Sequence, residues 1–152
     1  AIKLAKRIAN ELLYVGVMAV EFFISSEALF VNEIAPRPHN SGHFTIDACV
    51  YNQFDQQVLT LAGNEPKNEE TKFPISVMLN LLGDIWFRNG EEQLEPKFEM
   101  IEGPKISLHL YGKSEPRIGR KMGHITILGS ENQSIEDVIR KTESIRKTIW
   151  EN

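Results

Sequence analysis

Two glutamates interrupt runs of otherwise apolar residues: Glu21 in VMAVEFFI and Glu33 in LFVNEIA. Each run reads as a strand, over 15–25 and 28–35, rich in Val, Phe and Ile. A carboxylate inside a largely buried strand is unfavourable unless something neutralises it, and two on neighbouring strands ask for a shared explanation. Ser25, Ser26 and Glu27 lie between the runs, so a hairpin joins them. With a three-residue turn over 25–27, Ile24 faces Ala28 and Glu21 faces Val31. Glu33 is then the diagonal neighbour of Glu21 on the same face, roughly 7–8 Å away at the backbone. A turn of two or four residues would put the carboxylates on opposite faces.

Sharing a face, Glu21 and Glu33, with Asn32 as a further oxygen donor, suit Mg²⁺, which takes one or two carboxylates together with substrate phosphates. Zinc is disfavoured, because Cys49 and the four histidines show no ligand spacing. The alternative is structural: an ion pair from Arg37 to one of the glutamates. Pro36 and Pro38 end the second strand, since proline has no N–H for a sheet ladder. The segment from Pro36 to Gly42 is therefore an ordered loop, and it carries Arg37, His39 and Asn40. A second polar cluster lies far along the chain. Between Lys105 and His124 come Lys113, Arg117, Arg120 and Lys121 against a single acid, Glu115. Two readings stay open for it, a pocket for a phosphorylated small molecule and a solvated basic loop.

The elements that must position these residues are readable in outline. An apolar stripe (Ile2, Ala5, Ile8, Ala9, Leu12, Leu13) predicts a helix ending near Tyr14, with no capping residue before it. The chain has no initiator methionine, and its first residues fall inside that stripe, so the expectation is a cut chain. Helices are predicted over 43–51 and 53–62, stopped by Gly63 and Pro66. The polar stretch 64–72 (NEPKNEETK) marks a boundary between residues 1–72 and 73–152. Beyond it come strands over 75–81, 106–110 and 124–128. A final helix opens at Ser134 and Asp137, with Ile135, Val138, Ile139, Ile145 and Ile149 on one face. The expected class is α+β: antiparallel strands with helices, then a small mixed β lobe with a terminal helix. Trp86 and Trp150 read as packing anchors, His109 and His124 as core histidines or substrate contacts, and Met18, Met78, Met100 and Met122 as core filler.

Bulk properties narrow the class. The chain has 152 residues, 41% hydrophobic and 25% charged, which is ordinary globular composition. Its net charge of -4 disfavours nucleic acid as the main partner. No apolar run approaches the roughly 20 residues that span a bilayer. Cys49, the single cysteine, sits among Ile46, Ala48 and Val50, so a buried thiol in a reducing cytoplasm is expected.

The stretch GVMAVEFFISSEALFVNEIAPRPHNSGHFTIDACVYNQFDQQ, with HLYGK at 109–113 and GRKMGHI at 119–125, resembles the C-terminal part of ATP-grasp carboxylate–amine ligases of the N5-carboxyaminoimidazole ribonucleotide synthase family. The resemblance covers most of the chain and is strongest over 16–62 and 106–125. It implies Mg²⁺ on Glu21 and Glu33, bridging the ATP phosphates. It places Phe23 and the backbone at Val31 and Asn32 near the nucleotide, and Arg37, His39 and Asn40 at the reaction centre and ribonucleotide. Lys113, Arg120 and Lys121 would meet the substrate phosphate and carboxylate, with Arg37 and Lys121 acting in catalysis. The implied reaction phosphorylates bicarbonate with ATP and carboxylates the amine of 5-aminoimidazole ribonucleotide, in a cytoplasmic homodimer of purine biosynthesis. The family's N-terminal domain and central lobe have no counterpart here, so these residues alone are not expected to turn over ATP. Two rivals remain. One is the formate-dependent glycinamide ribonucleotide transformylase, which has SEVSPRPHDTG where this chain has NEIAPRPHNSG. The other is a non-catalytic dimerisation module.

Overall fold

The first apolar stripe folds as helix α1 (Ile2–Glu11), and the chain leaves it through Leu12 and through Leu13 in the left-handed region at φ 47°. The helix thus stops short of Tyr14, and Leu12 and Leu13 are exposed rather than part of its packed stripe. The computed structural model describes residues 1–68, 70–88, 91–92, 96–101 and 103–151. These form two units, residues 1–70 and 71–152.

In the first unit, β1 (Ala19–Ile24) and β2 (Leu29–Ala35) make an antiparallel pair. Both are shorter than the sequence suggests, and the turn has four residues, Ser25–Ala28, instead of three. Ser25 explains the extra residue. Its amide donates to the Ala28 carbonyl at 3.0 Å, while its Oγ accepts from the amides of Glu27 and Ala28. The side chain thus replaces backbone partners inside the turn. The pair is also more exposed than its composition predicts: Phe23, Ile24 and Phe30 are all more than half accessible.

The helix predicted over 43–51 is broken into pieces. A 3₁₀ turn covers Asn40–Gly42, and a single helical turn, α2 (Thr45–Ala48), follows. The Thr45 hydroxyl donates to the Gly42 carbonyl at 2.6 Å and accepts from the Gln53 amide at 3.0 Å. It thereby joins the pieces that a continuous helix would have replaced. Helix α3 (Gln53–Leu61) starts in a capping box made by Asn52 and Asp55. Ala35, Ala48 and Cys49 are buried.

The second unit is built on β3 (Ile75–Leu82), a two-residue pair β4 (Phe87–Arg88) and β5 (Glu91–Glu92), then β6 (Ile106–Leu110), β7 (Lys121–Gly129) and helix α4 (Ile135–Glu151). Its main sheet has the order β3–β7–β6. Among the described residues every pairing is antiparallel, where a mixed lobe is predicted, because β7 returns directly beside β6 and then also takes β3. Residues alternate faces along β7. Ile125 and Ile127 form one core with Leu81, Ile85, Val138 and Ile149, against which Trp86 packs. His124 and Thr126 lie on the other face, also buried. Helix α4 begins as its sequence predicts: the Asp137 amide donates to Ser134 Oγ at 3.1 Å, and the Ser134 amide donates to Asp137 Oδ2 at 3.0 Å. Met122 is buried and Met18 and Met78 are half-buried, while the Met100 side chain and residue 69 of the polar connector lie outside the described residues.

Candidate functional site

A four-residue turn, left to itself, would separate Glu21 from Glu33. The ladder runs Ile24–Leu29, Phe23–Phe30, Phe22–Val31, and its next regular step would set Glu21 against Asn32. A β-bulge intervenes between Glu21 and Phe22, and Glu21 faces Glu33 directly. Asn32 is the extra residue, so it shifts every later position of β2 by one. The two carboxylates share a face, as the sequence predicts, but they are direct neighbours rather than diagonal ones. Directly opposed Cβ atoms lie about 4.5–5.5 Å apart, and like charges at that position destabilise a strand pair.

Asn32 also contributes its side chain, with Nδ2 donating to Glu21 Oε2 at 3.2 Å. On the other side, His39 Nε2 lies 3.4 Å from Glu21 Oε1. The alternative, an ion pair from Arg37, is not what forms: the contact comes from His39, while Arg37 folds back to donate to the Pro38 carbonyl at 3.0 Å. The Glu33 carboxylate has no hydrogen bond or ion pair among the described residues. Nor are the carboxylates buried: the Glu21 side chain is 46% accessible. What calls for neutralisation is their mutual repulsion rather than desolvation. Two carboxylates and an adjacent amide are a hard oxygen set, and that set fits a divalent cation shared with phosphate oxygens and water. Phe23 lies two residues from Glu21 on the same strand and is exposed.

His39 owes its position to Gln53, which the sequence reading passed over. Gln53 is 7% accessible. Its Oε1 accepts the His39 amide at 2.9 Å, its Nε2 donates to the His39 carbonyl at 2.9 Å, and Nε2 also meets His43 Nδ1 at 2.7 Å. Gly42 packs so closely that a Cβ there would lie 2.5 Å from Gln53 Oε1. The sequence signal available was a glutamine at the first position of a helix, in the same unit as the Pro-Arg-Pro-His loop. Asn40 opens the 3₁₀ turn and is half-buried.

The other predicted residues belong to the second unit: Lys113 and Arg120 on the β6–β7 connection and Lys121 at the start of β7. Lys113 donates to the Lys121 carbonyl at 2.6 Å, with its ammonium 5.6 Å from the Tyr111 ring centre. Arg120 donates to the Glu115 carbonyl at 2.7 Å, and Arg117 pairs with the Glu115 carboxylate at 2.8 Å. Lys121 is exposed, and its ammonium has no partner among the described residues. Near the same connection, the Tyr111 hydroxyl lies 2.8 Å from His124 Nδ1, and His109 stacks on His124 at 4.6 Å. Burial pushes the Tyr111 hydroxyl above its usual pKa.

Comparison with known proteins agrees with these motifs. Residues 1–54 match the ATP-grasp domain, and residues 76–138 match the phosphoribosylaminoimidazole carboxylase C-terminal domain. The N5-carboxyaminoimidazole ribonucleotide synthase of Staphylococcus aureus (strain COL) is 45% identical over 140 residues, a match covering 90% of this chain and 35% of that protein. The chain therefore spans about a third of the length of the curated relatives it matches. The crystal structure of the Staphylococcus aureus N5-carboxyaminoimidazole synthetase complexed with ADP superposes with a TM-score of 0.70 at 39% identity, covering 97% of this chain and 38% of that one. The Aspergillus clavatus enzyme, in complex with ADP and 5-aminoimidazole ribonucleotide, gives 0.67 at 29% identity, covering 88% and 35%. With two matching domains that together take in most of its residues, the chain belongs to the ATP-grasp family, in the branch of the N5-carboxyaminoimidazole ribonucleotide synthases.

Proposed function

We propose that this chain carries part of the catalytic apparatus of an enzyme that uses ATP and bicarbonate to carboxylate 5-aminoimidazole ribonucleotide in purine biosynthesis. The carrying observation is the bulge at Asn32, which brings Glu21 and Glu33 face to face beside His39. A strand pair that places two like charges together is built for a cation. Glu21 and Glu33 would hold Mg²⁺, with Asn32 and the exposed Phe23 toward the nucleotide. Held by these carboxylates, such an ion would offset negative charge on the transferring phosphoryl group.

In the first half-reaction a bicarbonate oxygen attacks the γ-phosphorus, the bond to the β–γ bridging oxygen breaks, and ADP leaves. In the second, the exocyclic amine forms a bond to the carboxyl carbon of carboxyphosphate, or to the CO₂ released from it. Phosphate departs and the amine gives up a proton. Arg37 suits carboxyphosphate because its planar fork can hold two oxygens at once. Its present partner is one exposed carbonyl, which costs little to exchange. His39 and Asn40 contact the ribonucleotide. Lys113, Arg120 and Lys121 take its phosphate and the carboxylate formed on its amine, and Lys121, with its ammonium uncommitted, is the group that orients bicarbonate or steadies the leaving phosphate. A homodimer and a cytoplasmic setting belong to the same reading, on the resemblance alone.

The test is ADP release by the intact protein carrying this chain, with Mg²⁺ and bicarbonate, with and without 5-aminoimidazole ribonucleotide. Strong stimulation by the ribonucleotide is expected. Stimulation only by glycinamide ribonucleotide with formate would reassign the chain to the transformylase chemistry.

A further inference from the structure

The three cations assigned to the substrate in the second unit differ in how they are held. Lys121 begins β7 and is paired across the sheet with Leu82. Lys113 and Arg120 belong to the connection before it, whose backbone lies outside the strand pairing and which meets β7 through the Lys113 ammonium on the Lys121 carbonyl. A short segment at the end of β3 holds that connection at three points. The Gly83 amide donates to the Arg120 carbonyl at 2.7 Å. Asp84 Oδ2 accepts the Gly119 amide at 2.8 Å. Gly83 also lies flush against Arg117, so that a Cβ there would sit 2.1 Å from the Arg117 carbonyl oxygen. Gly119 has φ +75°, a conformation that glycine adopts without steric cost, and its N–H is open to a side-chain acceptor. Asp84 is the side chain that meets it.

We propose that Asp84 is a positioning residue for ribonucleotide binding: it acts as a hydrogen-bond acceptor that fixes the 112–120 connection, and through it Lys113 and Arg120. The inference rests on the assignment of these cations to the substrate made above. Asp84 touches no substrate itself. Its charge is not what matters, because a carboxamide oxygen can accept the same N–H. Since Lys121 keeps its place through the β3 pairing, loss of the clamp weakens binding of the ribonucleotide without altering the reacting groups. Such a loss appears in KM and not in kcat.

The experiment compares Asp84→Ala, Asp84→Asn and Gly83→Ala in the intact protein. The readouts are ribonucleotide-dependent ADP release and amide exchange over 112–120 in the substrate-free protein. The Ala variant at 84 should raise KM for 5-aminoimidazole ribonucleotide up to about tenfold, the scale of losing one ordinary hydrogen bond. Its kcat should stay within about twofold, and its 112–120 amides should exchange faster. The Asn variant should stay close to the parent in both readouts. Gly83→Ala displaces the same connection by a separate route and should raise KM likewise. Equal impairment in the Ala and Asn variants would make charge the operative property and overturn the proposal. An unchanged KM in the Ala variant, or a fall in kcat at constant KM, would overturn it as well. A parent protein with no ribonucleotide-dependent ADP release would instead defeat the proposed function. The clamp would then be judged by exchange alone, and unchanged exchange in the Ala variant would refute it.

Discussion

Truncating Gln53 to Ala should loosen the loop that presents His39 to Glu21. In the folded chain Gln53 satisfies the His39 amide outright and supplies one of two donors to the His39 carbonyl, the other being the Gly42 amide at 3.0 Å. Removing the side chain leaves the amide unpaired, at about 1–3 kcal/mol, and removes one ordinary hydrogen bond, at about 0.5–1.5 kcal/mol. Gly42 has no side chain to fill the space, which adds a small cavity contribution, and water entering the half-buried loop offsets part of the loss. The net expectation is about 2–4 kcal/mol of local stability. The assay has to report on this unit. Both tryptophans, Trp86 and Trp150, lie in residues 71–152, so intrinsic tryptophan fluorescence reports on that unit. Amide exchange over residues 38–53 reports on the loop, and protection there should fall by about 30- to 800-fold. A fall of less than about fivefold would refute the clamp, showing that the loop holds its shape through Thr45 and the proline residues alone.

Three further outcomes are expected. Glu33→Gln should abolish most ribonucleotide-stimulated ADP release, by about 100-fold or more, and raise the Mg²⁺ concentration needed for half-maximal rate; retention of full activity at low Mg²⁺ would remove Glu33 from the metal site. Ile125→Ala, at a fully buried position in the second-unit core, should cost about 2–5 kcal/mol, measured by the shift of the tryptophan-detected denaturation midpoint. The Ser134 amide and hydroxyl, with Arg140, lower the Asp137 carboxyl from its ordinary 3.8 to about 2. A group depressed on folding contributes stability above its unfolded pKa and loses it as pH falls through the folded one. The difference in denaturation midpoint between the parent and Asp137→Asn should therefore be full at neutral pH and shrink between about pH 4 and pH 2. A difference independent of pH would show that the cap acts through shape alone.

The sequence was legible wherever a local pattern decided the outcome. Ser134 and Asp137 announced the start of α4, and the run 124–128 announced a strand, which the structure extends to Lys121–Gly129. That Glu21 and Glu33 share a face was also inferred correctly, though through a wrong turn. A three-residue tip gave the right parity, and the chain reaches it with a four-residue tip and a bulge. Nothing local betrays the bulge, because Asn32 looks like any polar residue near a strand end until its ladder partner is known. The broken 43–51 segment escaped likewise. It breaks where Cys49 turns extended, at φ -110° and ψ 156°, and the Val50 amide donates to the Glu70 carbonyl at 2.9 Å, a partner far along the chain that no local pattern announces. The reading of the glutamates as buried failed because composition records how apolar a strand is, and only packing decides what covers it.

The bulge also divides the hairpin into a part that sets the site and a part that does not. Because the count is corrected at Asn32, between the tip and the carboxylates, the ladder from Ala19–Ala35 to Glu21–Glu33 is anchored from the base of the hairpin. The four residues Ser25–Ala28 can therefore be redrawn, lengthened or labelled with a probe while the acidic pair keeps its spacing. The one-residue change that matters lies at position 32, where a reporter of strand phase would read the integrity of the site directly.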